Sequence, residues 1–280
     1  MFKKAQRKLA KLRLGVCGTS GSGKTWSSLL IASGISDKIA LLDTERRGHL
    51  YAEDFDFDIA ELDAPYSPQR YIESIKSAEK AGYEVLIIDS LSHAWVGDGG
   101  VLSIAERAGG TFQQGWKTAT PQHNLLVDTI VTSKMHIIVT LRSKTEYVVE
   151  ANDRGKMAPR KVGMAPVQRD GLEYEFTMFM DMNQEHYAHI TKDNTKLYDG
   201  QVVKPDKKMG ENLKEWLLNG KSQEDILTGI KNEIDACATD AELREKYTQL
   251  LKENPSLKDE LVILSKAKKE ELEGLKNEVV

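Results

Sequence analysis

The chain has two cysteines, Cys17 and Cys237, in 280 residues. Two thiols make neither a disulfide framework nor a metal quartet, so a reducing compartment, the cytoplasm, is expected. No apolar run approaches the ~20 residues that cross a bilayer, and no membrane partner is expected. The basic first residues lack the apolar core of a secretory signal. His93 and His123 have no ligand spacing, and no zinc, haem or internal-repeat pattern is present. Net charge is only −4, which excludes a uniformly basic nucleic-acid binder.

The charge is unevenly placed. Residues 221–280 carry 10 basic and 14 acidic side chains, which accounts for the whole excess. Lys3, Lys4, Arg7, Lys8, Lys11 and Arg13 crowd the start with no acid among them, either to touch nucleic-acid phosphates or as a solvated helix face. A second basic group, Arg154, Lys156, Arg160, Lys161 and Arg169, lies in a loop-like stretch.

What is present is a glycine-rich loop of G-x-x-x-x-G-K-T form. Gly18, Thr19, Ser20, Gly21, Ser22, Gly23, Lys24, Thr25 and the following Trp26 are the candidate nucleotide-binding residues. An apolar run, 12–17, precedes the loop and a helix-compatible run, 26–32, follows it, the context this motif requires. The glycines let several N–H groups point at one anion, and the helix N-terminus adds partial positive charge. Lys24 would reach the β- and γ-phosphates of ATP, and the Thr25 hydroxyl would ligate Mg²⁺. The apolar run Val85–Ile88 ends in Asp89, placed to share the Mg²⁺ shell. Leu41–Leu42–Asp43–Thr44–Glu45 ends in a carboxylate that either polarises the attacking water or pairs with Arg46 or Arg47.

Around these motifs strand-like runs (38–44, 55–62, 85–89, 136–141) alternate with helix-like ones such as 67–81. That alternation predicts an α/β fold, a mostly parallel sheet with helices on both faces. A late antiparallel pair, 174–182 and 186–192, turns at 183–185. Segments 90–120 and 142–171 escape the rhythm and are expected to be irregular. A helix near 211–219 closes the core, and three charged amphipathic helices follow. The expected division is a basic segment 1–14, an ATPase core 15–220 and a helical region 221–280.

The motif order resembles RecA-type recombinase ATPases. The wording GTSGSGKT, LLDTERRG, LIIDSLSHAW, IIVTLRSKTEY, KVGMAPVQRDGLEYEF and ITKDNT resembles the phage-encoded, RecA-like, Sak-type single-strand annealing class over about residues 1–200. The resemblance implies a RecA-like P-loop core that hydrolyses ATP with Mg²⁺. It implies action on single-stranded DNA in recombination, by annealing or strand exchange, in the host-cell cytoplasm. It implies self-association into a ring or filament, with a single-strand DNA-binding protein as a candidate partner.

By the same resemblance Glu45 activates water, and Thr140 or Arg142 senses the γ-phosphate, although the family's Asn-Gln pair is absent. Lys192 keeps the first base of a Lys-x-Lys or Lys-x-Arg pair offered to a neighbour's ATP, with Asn194 in place of the second, or is a solvated strand-end lysine. Arg169 is a candidate compensating finger, or pairs with Asp170 or Glu173. The two irregular segments take the places of the family's DNA loops. Trp95, Phe112 and Trp116 would stack on bases or pack the loop on the core; Arg154, Lys156, Arg160 and Lys161 would track phosphates. Phe2–Ala5 matches F-x-x-A, which either resembles the tether of recombinase protomers or belongs to a frayed terminus. The competing class is a nucleotide-dependent adaptor that docks partners through its C-terminal helices.

Overall fold

The structure is a computed structural model and describes residues 7, 9–108, 111–151, 157–219, 223–253 and 257–277. Their contacts form two compact units, Lys11–Leu217 and a second from Leu218 on.

The first unit is built on a nine-stranded sheet. Its strands are β1 (Arg13–Gly18), β2 (Ile39–Asp43), β3 (Asp58–Glu61), β4 (Val85–Asp89), β5 (His136–Ala151), β6 (Met157–Pro166), β7 (Met178–Met182), β8 (Ala188–Asp193) and β9 (Val202–Val203). They run in the order β3-β2-β4-β5-β1-β7-β8-β9, with β6 paired to β5. From β3 to β7 neighbours are parallel; β7–β8, β8–β9 and β5–β6 are antiparallel. The expected α/β sheet with a late antiparallel pair is therefore what forms. β1, β2 and β4 are buried along their whole length, which is why they read as unbroken apolar runs rather than alternating ones. β3 differs: it is a short edge strand with all four residues exposed.

Helices cover both faces. On one, α1 (Lys24–Ile35) and α6 (Lys207–Leu218) pack Leu29, Ile31, Met209, Leu213 and Leu217 against Val16, Leu41 and Ile87. These helices touch through Gly34 and Gly210: a Cβ on either would lie 2.1 Å from a carbonyl of the other helix. On the other face, α2 (Pro68–Ala81) and α5 (Phe112–Thr132) contribute Tyr71, Ile72, Ile75, Leu126 and Ile130. α2 opens with Pro68 in its first turn and stops at Gly82, whose φ of 85° only glycine adopts freely.

Among the described residues, both segments expected to be irregular contain regular elements. Residues 90–120 form α3 (Ser92–Val96), α4 (Val101–Arg107) and the start of α5. The glycines punctuate these helices rather than dissolve them. Gly115 lies inside α5 because a Cβ there would meet the Ala105 carbonyl of α4 at 2.2 Å. A capping box of Thr111 and Gln114 starts α5, which continues through Pro121. In the second segment β5 continues to Ala151 and pairs antiparallel with β6, with a register shift at Glu146/Tyr147.

Arg13 also corrects an expectation. It is 6% exposed, no part of a solvated or nucleic-acid-facing basic stretch. Its guanidinium donates to the carbonyls of Val131 (3.1 and 2.9 Å), Met135 (2.7 Å), Leu12 (2.9 Å) and Ser133. Burial lowers its pKa to about 10. Beside it, His136 accepts the Leu12 N–H on Nδ1 at 3.1 Å, and burial pushes that imidazole down to about 3.

The second unit holds α7 (Gln223–Asp235), α8 (Asp240–Glu253) and α9 (Lys258–Asn277) around Ile230, Ile234, Leu243, Leu250, Leu261 and Leu272. Among the described residues no helix is long and apolar enough to cross a membrane.

Candidate nucleotide site

The glycine loop joins the end of β1 to the start of α1. Gly21 and Gly23 take φ of 79° and 83°, in the left-handed region, and a Cβ on Gly18 would meet Ser22 Oγ at 2.5 Å. Side chains there would deform the loop. The loop and the free N–H groups of the first turn of α1 make an anion cradle. Lys24 curls back into it, its Nζ donating to the Thr19 carbonyl at 2.8 Å. Burial lowers the Lys24 pKa against the opposing pull of Asp89. Cys17, just before the loop, is buried, and its thiol is pushed up to about 12 mainly by that burial.

Asp89 ends β4 and is 5% exposed. Thr25 Oγ1 donates to its Oδ2 at 2.5 Å and Thr140 Oγ1, from β5, to its Oδ1 at 2.5 Å. Burial nonetheless holds the carboxyl above its ordinary pKa. Carboxylate and hydroxyl oxygens are the hard donors Mg²⁺ takes, and the cradle beside them is lined by N–H groups and an ammonium. These residues fit a magnesium–triphosphate group: Thr25 and Asp89 to hold the ion, Gly18–Trp26 the phosphates.

β2 brings Glu45 alongside. The registers pair Asp43 with Asp89, and Asp43 then folds the chain back on itself. Its Oδ1 accepts the N–H groups of Glu45 (2.7 Å) and Arg46 (2.8 Å), its Oδ2 those of Arg47 (2.9 Å) and Gly48 (2.7 Å). The turn delivers Glu45 to Arg142, whose Nε and Nη2 donate to its two oxygens at 2.8 Å each, while Ser90 Oγ donates to Oε1 at 3.2 Å. Burial alone would raise the Glu45 pKa; Arg142 outweighs it and holds the carboxyl below its usual range. Arg46 is engaged elsewhere, with Asp63 at 2.5 Å.

Sequence reasoning missed three members of this cluster. Asp43 reads as a mere strand end, although an Asp opening a turn that bonds the next backbone N–H groups is a recognisable signal. Thr44 Oγ1 accepts the Ser90 N–H at 2.8 Å, and His93 Nδ1 lies 2.7 Å from that hydroxyl. Nothing in the spacing marks either contact.

Other expected site residues lie as follows. Trp26, 39% exposed, packs edge-on against Phe55 (4.9 Å) and Tyr51 (6.0 Å). Arg169 Nη1 donates to Asn124 Oδ1 at 3.3 Å. Lys192 Nζ donates to the carbonyls of Glu173 (3.2 Å) and Tyr174 (2.6 Å). Trp95 and Trp116, both half-buried, lie 5.8 Å apart, and Trp95 meets His123 edge-on at 5.4 Å. Phe2–Ala5, Arg154, Lys156 and the side chains of Phe112, Arg160 and Lys161 lie outside the described residues.

A family model described as AAA domain matches residues 10–217, which include every residue of the cluster above. No curated protein matches the chain.

Proposed function

The chain belongs to the AAA domain family, and from that premise we propose that it is an ATPase of DNA recombination. It hydrolyses ATP on single-stranded DNA, as a ring or filament of copies, in annealing or strand exchange. The coarser part, a nucleotide-binding P-loop ATPase, is the family's own.

In this reading the loop N–H groups and Lys24 hold the β- and γ-phosphates. Mg²⁺, held by Thr25 and Asp89, supplies charge neutralisation for the phosphate oxygens. Glu45, kept ionised by Arg142, accepts a proton from the water that attacks the γ-phosphorus. The bond to the β-phosphate oxygen breaks, and ADP and phosphate leave. Because Arg142 grips both carboxylate oxygens, it sets the direction in which Glu45 faces.

The observation that supports a single strand as partner is the Trp95–Trp116 pair. Its two residues lie in α3 and α5, the first and third helices after the Asp89 strand, and both are half-buried. Ring faces there would stack on bases without regard to sequence. Arg160 and Lys161, in the sequence of β6, add phosphate-seeking charge. The test is ATP turnover with and without single-stranded DNA. Turnover is expected to rise with DNA and the rise to shrink with salt; a rate indifferent to DNA would end the recombination reading and leave the ATPase standing.

A further inference from the structure

His93 has no task in the mechanism above, yet it touches the catalytic turn. It is the second residue of α3 and half-buried. Its Nδ1 lies 2.7 Å from Thr44 Oγ1, and Thr44 immediately precedes Glu45. That hydroxyl also accepts the Ser90 N–H at 2.8 Å and lies 3.1 Å from the Asp89 carbonyl. One imidazole therefore reaches the seam between the strand ends that present Asp89 and Glu45. From its other side the ring stacks on Tyr66 at 4.7 Å, 25° from parallel, so its orientation is held twice. Arg142 and Glu45 both act on it electrostatically.

Two residues further along the same five-residue helix stands Trp95, against Trp116 and His123. A helix rises about 1.5 Å per residue, so the two side chains spring from backbone only about 3 Å apart along its axis. A shift of α3 as a body that follows the indole carries the imidazole with it. The path runs Trp116, Trp95, His93, Thr44, Glu45: a ring contact joins the first two, the backbone of α3 joins Trp95 to His93, a side-chain contact joins His93 to Thr44, and the chain itself joins Thr44 to Glu45.

We propose that His93 is a positioning residue for hydrolysis, a lever by which nucleic acid stacked on the Trp95–Trp116 face resets the Thr44–Glu45 turn. It rests on the DNA-dependent reading above. Coupling through a contiguous path is a claim about energy and is tested as one.

The experiment compares wild type with His93→Ala, Thr44→Val and Thr44→Ser. It measures KM for ATP, affinity for single-stranded DNA, thermal midpoint, and kcat with and without DNA. His93→Ala and Thr44→Val are expected to lose about tenfold in DNA-stimulated kcat, with KM and DNA affinity within about twofold of wild type. Thr44→Ser, which keeps the hydroxyl, is expected to retain stimulation. Full stimulation in His93→Ala overturns the proposal. So does a loss of kcat that comes with equal losses of ATP and DNA affinity and a lowered midpoint, since that pattern marks a merely structural histidine. If wild type itself is not stimulated, the DNA reading fails and the lever falls with it. If wild type is stimulated and the variants are too, the lever alone falls.

Discussion

At the carboxyl ends of the parallel strands, Asp89 is held by two hydroxyls and Glu45 by a guanidinium and a third hydroxyl. At the amino ends Arg13 is held by backbone carbonyls. Both regions bury charge, and the kind of partner separates them. Side-chain partners turn about their own bonds, so a ligand can replace them without disturbing the fold. Carbonyls at the end of α5 and the start of β5 move only if those elements move. Burial disfavours the charge of Asp89 and of Arg13 alike, so what marks the first arrangement is that its partners are exchangeable. The second is closed, and its guanidinium serves the fold.

The sharpest way to break this contrast is at Lys24. Lys24→Ala is expected to cut ATP turnover by about a thousandfold with an unchanged thermal midpoint; a lowered midpoint would make the loop a structural site as well. Arg13→Ala is expected to do the reverse. Orphaned carbonyls should cost about 3 kcal/mol in denaturant unfolding, while the folded protein binds nucleotide as before. Wild-type stability there would dissolve the distinction. Glu45→Gln should slow turnover by about a hundredfold and spare nucleotide affinity; equal loss of both would make Glu45 part of the binding surface.

The smallest effect concerns pH. Folding holds His136 near 3 against about 6.5 in an unfolded chain. Between those values the unfolded chain takes up a proton that the folded one refuses. This contribution is complete above about pH 6.5 and shrinks as pH falls, by about 2 kcal/mol at pH 5. His136→Asn should flatten that slope in unfolding midpoints measured from pH 7 to 5.

The same contrast governs how much could be read beforehand. Buried strands announce themselves as apolar runs, so Leu41, Leu42, Val85 and Ile88 locate β2 and β4. The loop, Asp89 and Glu45 follow from spacing. What escaped depends on partners distant in the chain. Arg13 looks like one more basic residue because three of its four carbonyl partners lie 118 to 122 positions away. Gly115 looks like a helix breaker until Ala105 is seen pressing on it. His93 and Thr44 are 49 residues apart, and only the folded turn joins them.

Cys17 carries a practical consequence. At neutral pH a thiol titrating near 12 offers almost no thiolate, the form that attacks alkylating reagents. Cys237 is buried too. A Tyr174→Cys exchange, at a position 76% exposed, would therefore take a maleimide dye selectively, with neither natural cysteine removed first.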